Sequence, residues 1–187
     1  MVQLIETKRI ADSRGWFCET YNAGRLETIG IEARFVQDNH SYSGAVGTIR
    51  GLHFQLPPHG QAKLVRCTRG AMFDVAVDIR QGSPTFGHWV GAELSMANQR
   101  QLFIPAGFAH GFATLEPDTE VLYKVDSYFA PEFDAGIRWN DPQLAIDWHL
   151  PPGAITTLSS KDEGLPSFAA FVSPCPYDGR PLAPLGV

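Results

Sequence analysis

Apolar and polar residues alternate along much of the chain between about residues 15 and 126, which is the period-two pattern typical of β-strands. The clearest run is Ala71–Ile79, in which every second residue from Phe73 onward is a large apolar one. We expect one face of this strand to lie in a core and the other to face a wetter surface. Six similar runs are predicted to be strands: Arg34–Asp38, Thr48–Gln55, Ala62–Arg69, Arg100–Pro105, Gly107–Leu115 and Thr119–Tyr128.

Turn-forming stretches such as LPPHG, IRQGSP and LEPDT separate several of these strands. Many short strands at regular spacing favour an all-β antiparallel sandwich or jelly roll over an α/β fold. No glycine-rich loop leads into a helix, so the phosphate-loop and dinucleotide-binding fingerprints are absent. A few short helices are expected, one within Asn22–Ile31 and one near Ser160, where Ser160 and Glu163 have the spacing of a capping box.

The length of 187 residues fits one domain, which we place at residues 1–165. Residues 166–187 hold five of the 14 prolines and show no clear period. We expect this segment to be a Pro-rich C-terminal arm that packs on the surface or on a partner subunit.

Charge and cysteine usage exclude several classes of protein. Fifteen basic and twenty acidic side chains give a net charge of -5 with no basic run, which disfavours nucleic-acid binding. No stretch approaches the ~20 apolar residues of a membrane span, and the first residues do not resemble a signal peptide. The three cysteines form neither a disulfide framework nor a zinc knuckle, so we expect reduced thiols and a cytoplasmic protein.

Three predicted strands carry ionisable side chains inside apolar patterns. His53 lies in RGLHFQ, Lys63 shares a strand face with Val65 and Cys67, and Tyr123 lies in VLYKV. Because a buried lysine is rare unless it is paired or functional, these strands together suggest a barrel interior that carries a histidine, a lysine and a tyrosine.

Each of these residues also has a purely structural interpretation. The histidine alone would be a satisfied structural residue, Lys63 would extend its amine to the barrel mouth, and Tyr123 would bond a backbone carbonyl. Asp162 would only favour a helix N-terminus.

Metal binding is the main competing chemistry. Residues 105–110, PAGFAH, have the PxGxxH form seen in the second motif of cupin barrels, which often bind a metal. The first cupin motif contains His-x-His and a following Glu, whereas this chain has His53-Phe54-Gln55 with no Glu before the strand ends. We therefore expect no metal site, with a metal-dependent cupin enzyme as an alternative.

Several longer strings then point to one family. FVQDNHS (35–41), RGLHFQ (50–55), KLVRC (63–67), FDVAVDIR (73–80), IPAGFAHGF (104–112), YK (123–124) and WND (139–141) resemble the dTDP-4-dehydrorhamnose 3,5-epimerases. The resemblance runs almost without gaps from about Asp12 to Asp162. It implies a cupin-type antiparallel jelly roll and a homodimer that needs no metal or other cofactor. Such an enzyme inverts C3 and C5 of a dTDP-linked 4-keto-6-deoxy sugar.

The resemblance also implies roles for individual residues. His53 would be the base, Asp162 its carboxylate partner, Lys63 the group that stabilises the enolate, and Tyr123 the acid on the opposite face of the sugar. Substrate-binding residues would be Arg14, Glu19, Gln37, Asp38, Asn39, Arg50, Lys63, His110, Asp134 and Lys161, with the N-terminal ones reaching the site of the partner subunit.

Two features depart from an ideal version of this site. Arg50 and His53 face opposite sides of an ideal strand, so we expect Gly51 to mark a bulge that brings them to one ligand. The family often has Glu where this chain has Asp134, and an aromatic hydroxyl where it has Phe129.

Other possible activities are a C3-only or C5-only epimerase, a ketoisomerase of a related nucleotide deoxysugar, and a nucleotide-sugar-binding module without catalysis.

Overall fold

Two five-stranded antiparallel sheets form the body of the protein. The computed structural model describes residues 1–185. Its helices are α1 (Ala23–Thr28) and α2 (Ser160–Glu163), with 3₁₀ turns at Pro131–Phe133 and Phe168–Ala170. The strands are β1 (Gln3–Ile5), β2 (Arg9–Asp12), β3 (Gly15–Cys18), β4 (Gln37–Ser43), β5 (Ile49–Gln55), β6 (Lys63–Arg69), β7 (Ala71–Asp78), β8 (Trp89–Ser95), β9 (Gln101–Ile104), β10 (Phe108–Thr114), β11 (Thr119–Val125) and β12 (Asp134–Gly136).

The first sheet has the strand order β1-β9-β6-β11-β4 and the second has the order β12-β5-β10-β7-β8. Strands β2 and β3 form a separate hairpin. Val65 and Leu102 of the first sheet pack with Met72 and Phe112 of the second in one buried cluster between the sheets. The predicted cupin-type antiparallel jelly roll with a few short helices is confirmed.

Strand β7 corrects one expectation about burial. All eight of its residues are buried, so the predicted wetter face does not exist. One face lies between the sheets through Met72 and Ala76, and the other packs through Val75 and Val77 against a second cluster that includes Trp148. The chain after β12 covers the outside of this sheet, and local alternation carries no information about such a distant segment.

Strand boundaries differ from expectation where pairing, not local pattern, decides them. The strand expected at Arg34–Asp38 begins instead at Gln37, because β4 pairs with β11 from Gln37 opposite Val125 to Ser43 opposite Thr119. Strands β1, β8 and β12 and the β2–β3 hairpin were not predicted at all.

Both predicted helices are present, but the second is capped one residue earlier than expected. Asn22 caps α1, where its side chain accepts a hydrogen bond from the Arg25 amide. In α2 the cap is Ser159 and not Ser160, because the Ser159 hydroxyl accepts a hydrogen bond from the Asp162 amide at 3.1 Å. This hydrogen bond holds the backbone of Asp162, whose carboxylate is buried.

The C-terminal segment folds back on the second sheet and its connections. Pro176 forms a bridge with Gln81, and Cys175 is buried in the outer cluster. Residues 186–187 of the predicted arm lie outside the described residues, and the division of the chain at residue 165 stays a prediction. In the described part of the chain, no helix has the length and apolar character needed to cross a membrane.

Candidate active site

A cavity of about 320 Å³ opens between the two sheets. Eight of the residues expected at the site line it: Arg50, His53, Lys63, His110, Tyr123, Asp134, Lys161 and Asp162. Ser41, Phe54, Gln55, Gln61, Phe112, Phe129 and Ser159 complete its wall.

His53 and Asp162 form a hydrogen-bonded pair in this wall. The His53 Nε2 atom lies 2.5 Å from Oδ1 of Asp162, whose side chain is only 3% exposed. Burial lowers the pKa of His53 below its usual 6.5, and this effect outweighs the Asp162 charge, which acts in the opposite direction. The imidazole is therefore neutral at physiological pH, with its N–H directed at the carboxylate and its second nitrogen able to accept a proton.

A bulge in β5 places Arg50 and His53 in the same cavity, as the sequence predicted. His53 lies opposite His110 on β10, whereas Arg50 lies opposite Phe112, so two residues of β5, Gly51 and Leu52, lie opposite the single residue Gly111. Gly51 within the bulge has a φ of +142°, in the region that favours glycine.

Lys63 begins β6 and is 7% exposed. Its Nζ atom donates a hydrogen bond to the His53 carbonyl at 3.3 Å. Burial lowers the pKa of this amine from 10.5 to about 8, although the nearby Asp74 and Asp134 carboxylates favour the charged form. The amine is thus mostly an ammonium at neutral pH, in a dry wall where its field on a bound anion is strong.

Tyr123 projects from the same sheet as Lys63, opposite the sheet that carries His53. It lies on β11 with Val65 of β6 and Asn39 of β4 as its direct neighbours. Burial raises the pKa of its phenol, so the hydroxyl is protonated throughout the physiological range. The cavity therefore holds a neutral imidazole on one wall and a phenol proton donor on the other.

His110 has a carboxylate partner that the sequence analysis did not assign to the site. Its Nε2 atom lies 2.7 Å from Oδ1 of Asp74, which is completely buried on β7. The Asp74 Oδ2 atom has no hydrogen-bond partner among the described residues. The alternation of β7 placed Asp74 on the face that was expected to be wetter, and its pairing with His110 depends on the register of β7 against β10.

Asp134 and Lys161 form an ion pair that also lines the cavity. Asp134 lies opposite Gln55 on the strand next to β5, and Lys161 immediately precedes the buried Asp162 on α2. The shorter Asp134 side chain thus reaches this lysine.

The predicted residues of β4 do not line the cavity. Gln37 and Asn39 lie beside it on the strand face that Tyr123 shares, and the Gln37 amide donates to Asn39 at 2.9 Å. Asp38 points to the opposite face, where its carboxylate pairs with Lys124 at 2.8 Å. A contact between Asp38 and a ligand of this cavity is therefore not supported by its position.

Arg14 and Glu19 are also outside the cavity. Arg14 lies at the tip of the β2–β3 hairpin, is largely exposed and pairs with Asp12. Glu19 pairs with Arg25 of α1 at 3.1 Å. Within one chain these two residues do not meet the other predicted substrate-binding residues.

The His, Cys, Asp and Glu side chains of residues 1–185 include no group of three or more that could hold a metal ion. The two histidines of the cavity each face a carboxylate, Asp162 and Asp74.

Comparison with known proteins gives a consistent result. A family model described as dTDP-4-dehydrorhamnose 3,5-epimerase matches residues 1–170. The enzyme of that name from Pseudomonas aeruginosa is 52% identical over 169 residues, which cover 90% of this chain and 91% of the relative.

Two solved structures are similar over the same region. A dTDP-4-dehydrorhamnose 3,5-epimerase from Bacillus anthracis, with TDP and PPi bound, has a TM-score of 0.84 at 52% identity and covers 88% of this chain and 92% of its own. A 3,5-epimerase from Legionella pneumophila, in complex with dTDP-4-keto-L-rhamnose, has a TM-score of 0.85 at 48% identity and covers 90% of this chain and 88% of its own.

Proposed function

The chain belongs to the dTDP-4-dehydrorhamnose 3,5-epimerase family, and from that membership we propose how its cavity inverts C3 and C5 of dTDP-4-dehydro-6-deoxy-D-glucose to give dTDP-4-dehydro-L-rhamnose. The observation that carries this proposal is the placement of a base and an acid on opposite walls. His53 projects from the second sheet and Tyr123 from the first, with both side chains lining one cavity.

The C4 ketone makes the reaction possible. Protons on C3 and C5 are acidic because the electron pair left by either one moves onto the C4 oxygen as an enolate. His53 takes the proton, and the buried Lys63 ammonium stabilises the negative oxygen. Loss of such a preorganised donor typically costs about 2.7–4 kcal/mol of transition-state stabilisation.

Inversion requires the new proton to arrive from the opposite face of the sugar ring. The electron pair returns from oxygen to carbon, and carbon takes a proton from the Tyr123 hydroxyl. Each cycle leaves a protonated His53 and a deprotonated Tyr123, which are restored by proton exchange with solvent before the second carbon reacts. No proton or electron is gained or lost overall.

Asp162 keeps His53 in the state that this role needs. The carboxylate holds the imidazole N–H on the nitrogen that faces it, which leaves the lone pair of the other nitrogen for the substrate. The same carboxylate stabilises the imidazolium that forms.

The nucleotide half of the substrate would lie along Arg50 and the adjacent β4 face. The planar guanidinium is suited to binding two phosphate oxygens at once, and Lys161 adds a second cation. Gln37 and Asn39 offer amide groups beside Tyr123 for the remaining polar atoms of the ligand.

A homodimer would account for the residues that one chain leaves outside the cavity. The β2–β3 hairpin exposes Ile10, Trp16 and Phe17, of which Phe17 is 67% exposed. If this hairpin crosses to a second copy, Arg14 and Glu19 reach the site of that copy.

Cys18, Cys67 and Cys175 are all free, which supports the proposed cytoplasmic location.

The activity is tested by supplying dTDP-4-dehydro-6-deoxy-D-glucose and trapping the L-lyxo product with a reductase that accepts only that isomer. Wild-type protein and the control His88→Asn, at an exposed histidine, should form the trapped product, and His53→Asn should not. Product formation by His53→Asn at the wild-type rate would remove His53 from the mechanism.

The proposed dimer is tested separately. Phe17→Asp should lower the sedimentation coefficient to that of a monomer, and an unchanged coefficient would exclude the hairpin from the interface.

A further inference from the structure

The C-terminal segment is fastened to a buried arginine. Arg80 follows β7 and is 2% exposed, and its guanidinium donates to both carboxylate oxygens of Asp78, at 2.9 and 2.7 Å. Its Nη1 group donates to the Asp178 carboxylate at 2.6 Å and to the Arg180 carbonyl at 2.9 Å. This buried cation is therefore held from two sides, and the C-terminal segment supplies one of them.

The same arginine supports the turn that leads into β10. Its guanidinium lies 4.3 Å from the ring centroid of Phe108. Its aliphatic stem runs under Gly107, where a Cβ atom would lie 2.7 Å from Arg80 Cγ. The Gly107 carbonyl accepts a hydrogen bond from the Ile79 amide at 3.2 Å, so the turn rests on the segment around Arg80.

Strand β10 connects the Gly107–Phe108 turn to the cavity. Phe108 and His110 are two residues apart on one strand and therefore share a face. His110 must keep a 2.7 Å contact with Asp74 and at the same time face the ligand. A shift of Phe108 on Arg80 moves the backbone that sets both of these contacts.

We propose that Asp178 is a positioning residue: through Arg80 it holds the Gly107–Phe108 turn, and through β10 it places His110 in the cavity. The effect on rate rests on the proposed function and on the expectation, from the family resemblance, that His110 binds the substrate. Asp178 lies outside residues 1–170, which the family model matches.

A variant without the Asp178 charge distinguishes positioning of the Gly107–Phe108 turn from simple attachment of the C-terminal segment. The Gln81 amide donates to the Cys175 carbonyl at 2.7 Å, and the Leu182 amide donates to the Thr85 hydroxyl at 2.9 Å. These contacts do not involve the Asp178 side chain and remain in Asp178→Asn. Because Asp178 is itself half exposed, we expect this variant to fold.

The test compares the full-length wild type with Asp178→Asn, Asp178→Glu and the matched control Asp147→Asn, which removes an equal charge at an exposed site. We expect Asp178→Asn to lower kcat about tenfold, below the ~100-fold that a misplacement of 1 Å can cost, with KM changed less than about twofold. Amide hydrogen exchange should accelerate in residues 104–112, and Asp178→Glu should restore both kcat and slow exchange.

A lower unfolding temperature with unchanged kcat and unchanged exchange in residues 104–112 would assign the segment a structural role only and overturn the proposal. Equal effects in Asp147→Asn would do the same. If the wild type itself fails to epimerise the sugar, the proposed function falls, and the exchange measurement alone still decides whether Asp178 holds the turn.

Discussion

Gly51 of β5 lies directly against Gly111 of β10, so closely that a Cβ atom on Gly51 would lie 2.5 Å from the Gly111 Cα atom. The two strands meet here without side chains between them, at the bulge that brings Arg50 and His53 into one cavity. The shape of the site therefore depends on Gly51 and Gly111, although neither residue has a side chain that could react with a ligand.

Gly51→Ala should therefore damage both stability and activity. The added methyl group meets backbone, and the φ of +142° is unfavourable for alanine, so we expect a loss of about 2–3 kcal/mol in the free energy of unfolding. Gly153→Ala is the control, because Gly153 also has a positive φ but no neighbour within 4 Å of an added Cβ. Equal losses in urea unfolding of the two variants would contradict the importance of the close approach.

Asp162→Asn should lower kcat with little effect on folding. The amide has nearly the shape of the carboxylate but can present a donor to His53, which favours the wrong tautomer, and it does not stabilise the imidazolium. We expect a loss of at least about 100-fold, within the range that a positioned base contributes. Steady-state kinetics measure it, with Asp147→Asn as the charge-matched control; a kcat within twofold of wild type would separate Asp162 from the base.

Tyr123→Phe should separate proton removal from inversion. His53 and Lys63 remain, so the variant should still exchange substrate protons with solvent. Without the phenol, delivery of a proton to the opposite face should fall about 100-fold or more at one carbon at least. NMR of the sugar in deuterated water distinguishes the two events, and wild-type inversion in this variant would show that another group is the acid.

The pH dependence of kcat/KM should be a bell with its limbs set by His53 and Lys63. His53 must be neutral, and its pKa is lowered by burial, so activity should persist below pH 6.5 before it falls. Lys63 must be charged, and its pKa of about 8 predicts a decline as the pH rises through that value. Because kcat/KM reports the free enzyme, a descending limb that first appears near pH 10.5 would contradict a buried, perturbed Lys63.

The faces of single strands were predictable, and with them much of the site. Alternation alone placed Lys63 with Val65 on an inward face, and the resemblance of RGLHFQ and the strings around it to known epimerases singled out His53. The Gly51 bulge followed from requiring Arg50 and His53 to meet one ligand, and the register of β5 against β10 bears this out.

Relationships between distant segments were not predictable. The contact of His110 with Asp74 depends on the register of two strands, and the burial of both faces of β7 depends on chain that follows β12. Arg80 and Asp178 are 98 residues apart, and no local pattern indicates that they meet.

If this cavity inverts both carbons beside the ketone, solvent deuterium must enter the sugar at C3 and at C5. Wild-type protein is incubated with dTDP-4-dehydro-6-deoxy-D-glucose in deuterated water, and the sugar protons are followed by NMR beside an enzyme-free control. We expect loss of the C3 and C5 proton signals with appearance of the L-lyxo sugar. Deuterium at one carbon only would contradict double epimerisation, and no deuterium above the control would contradict the assignment of the cavity itself.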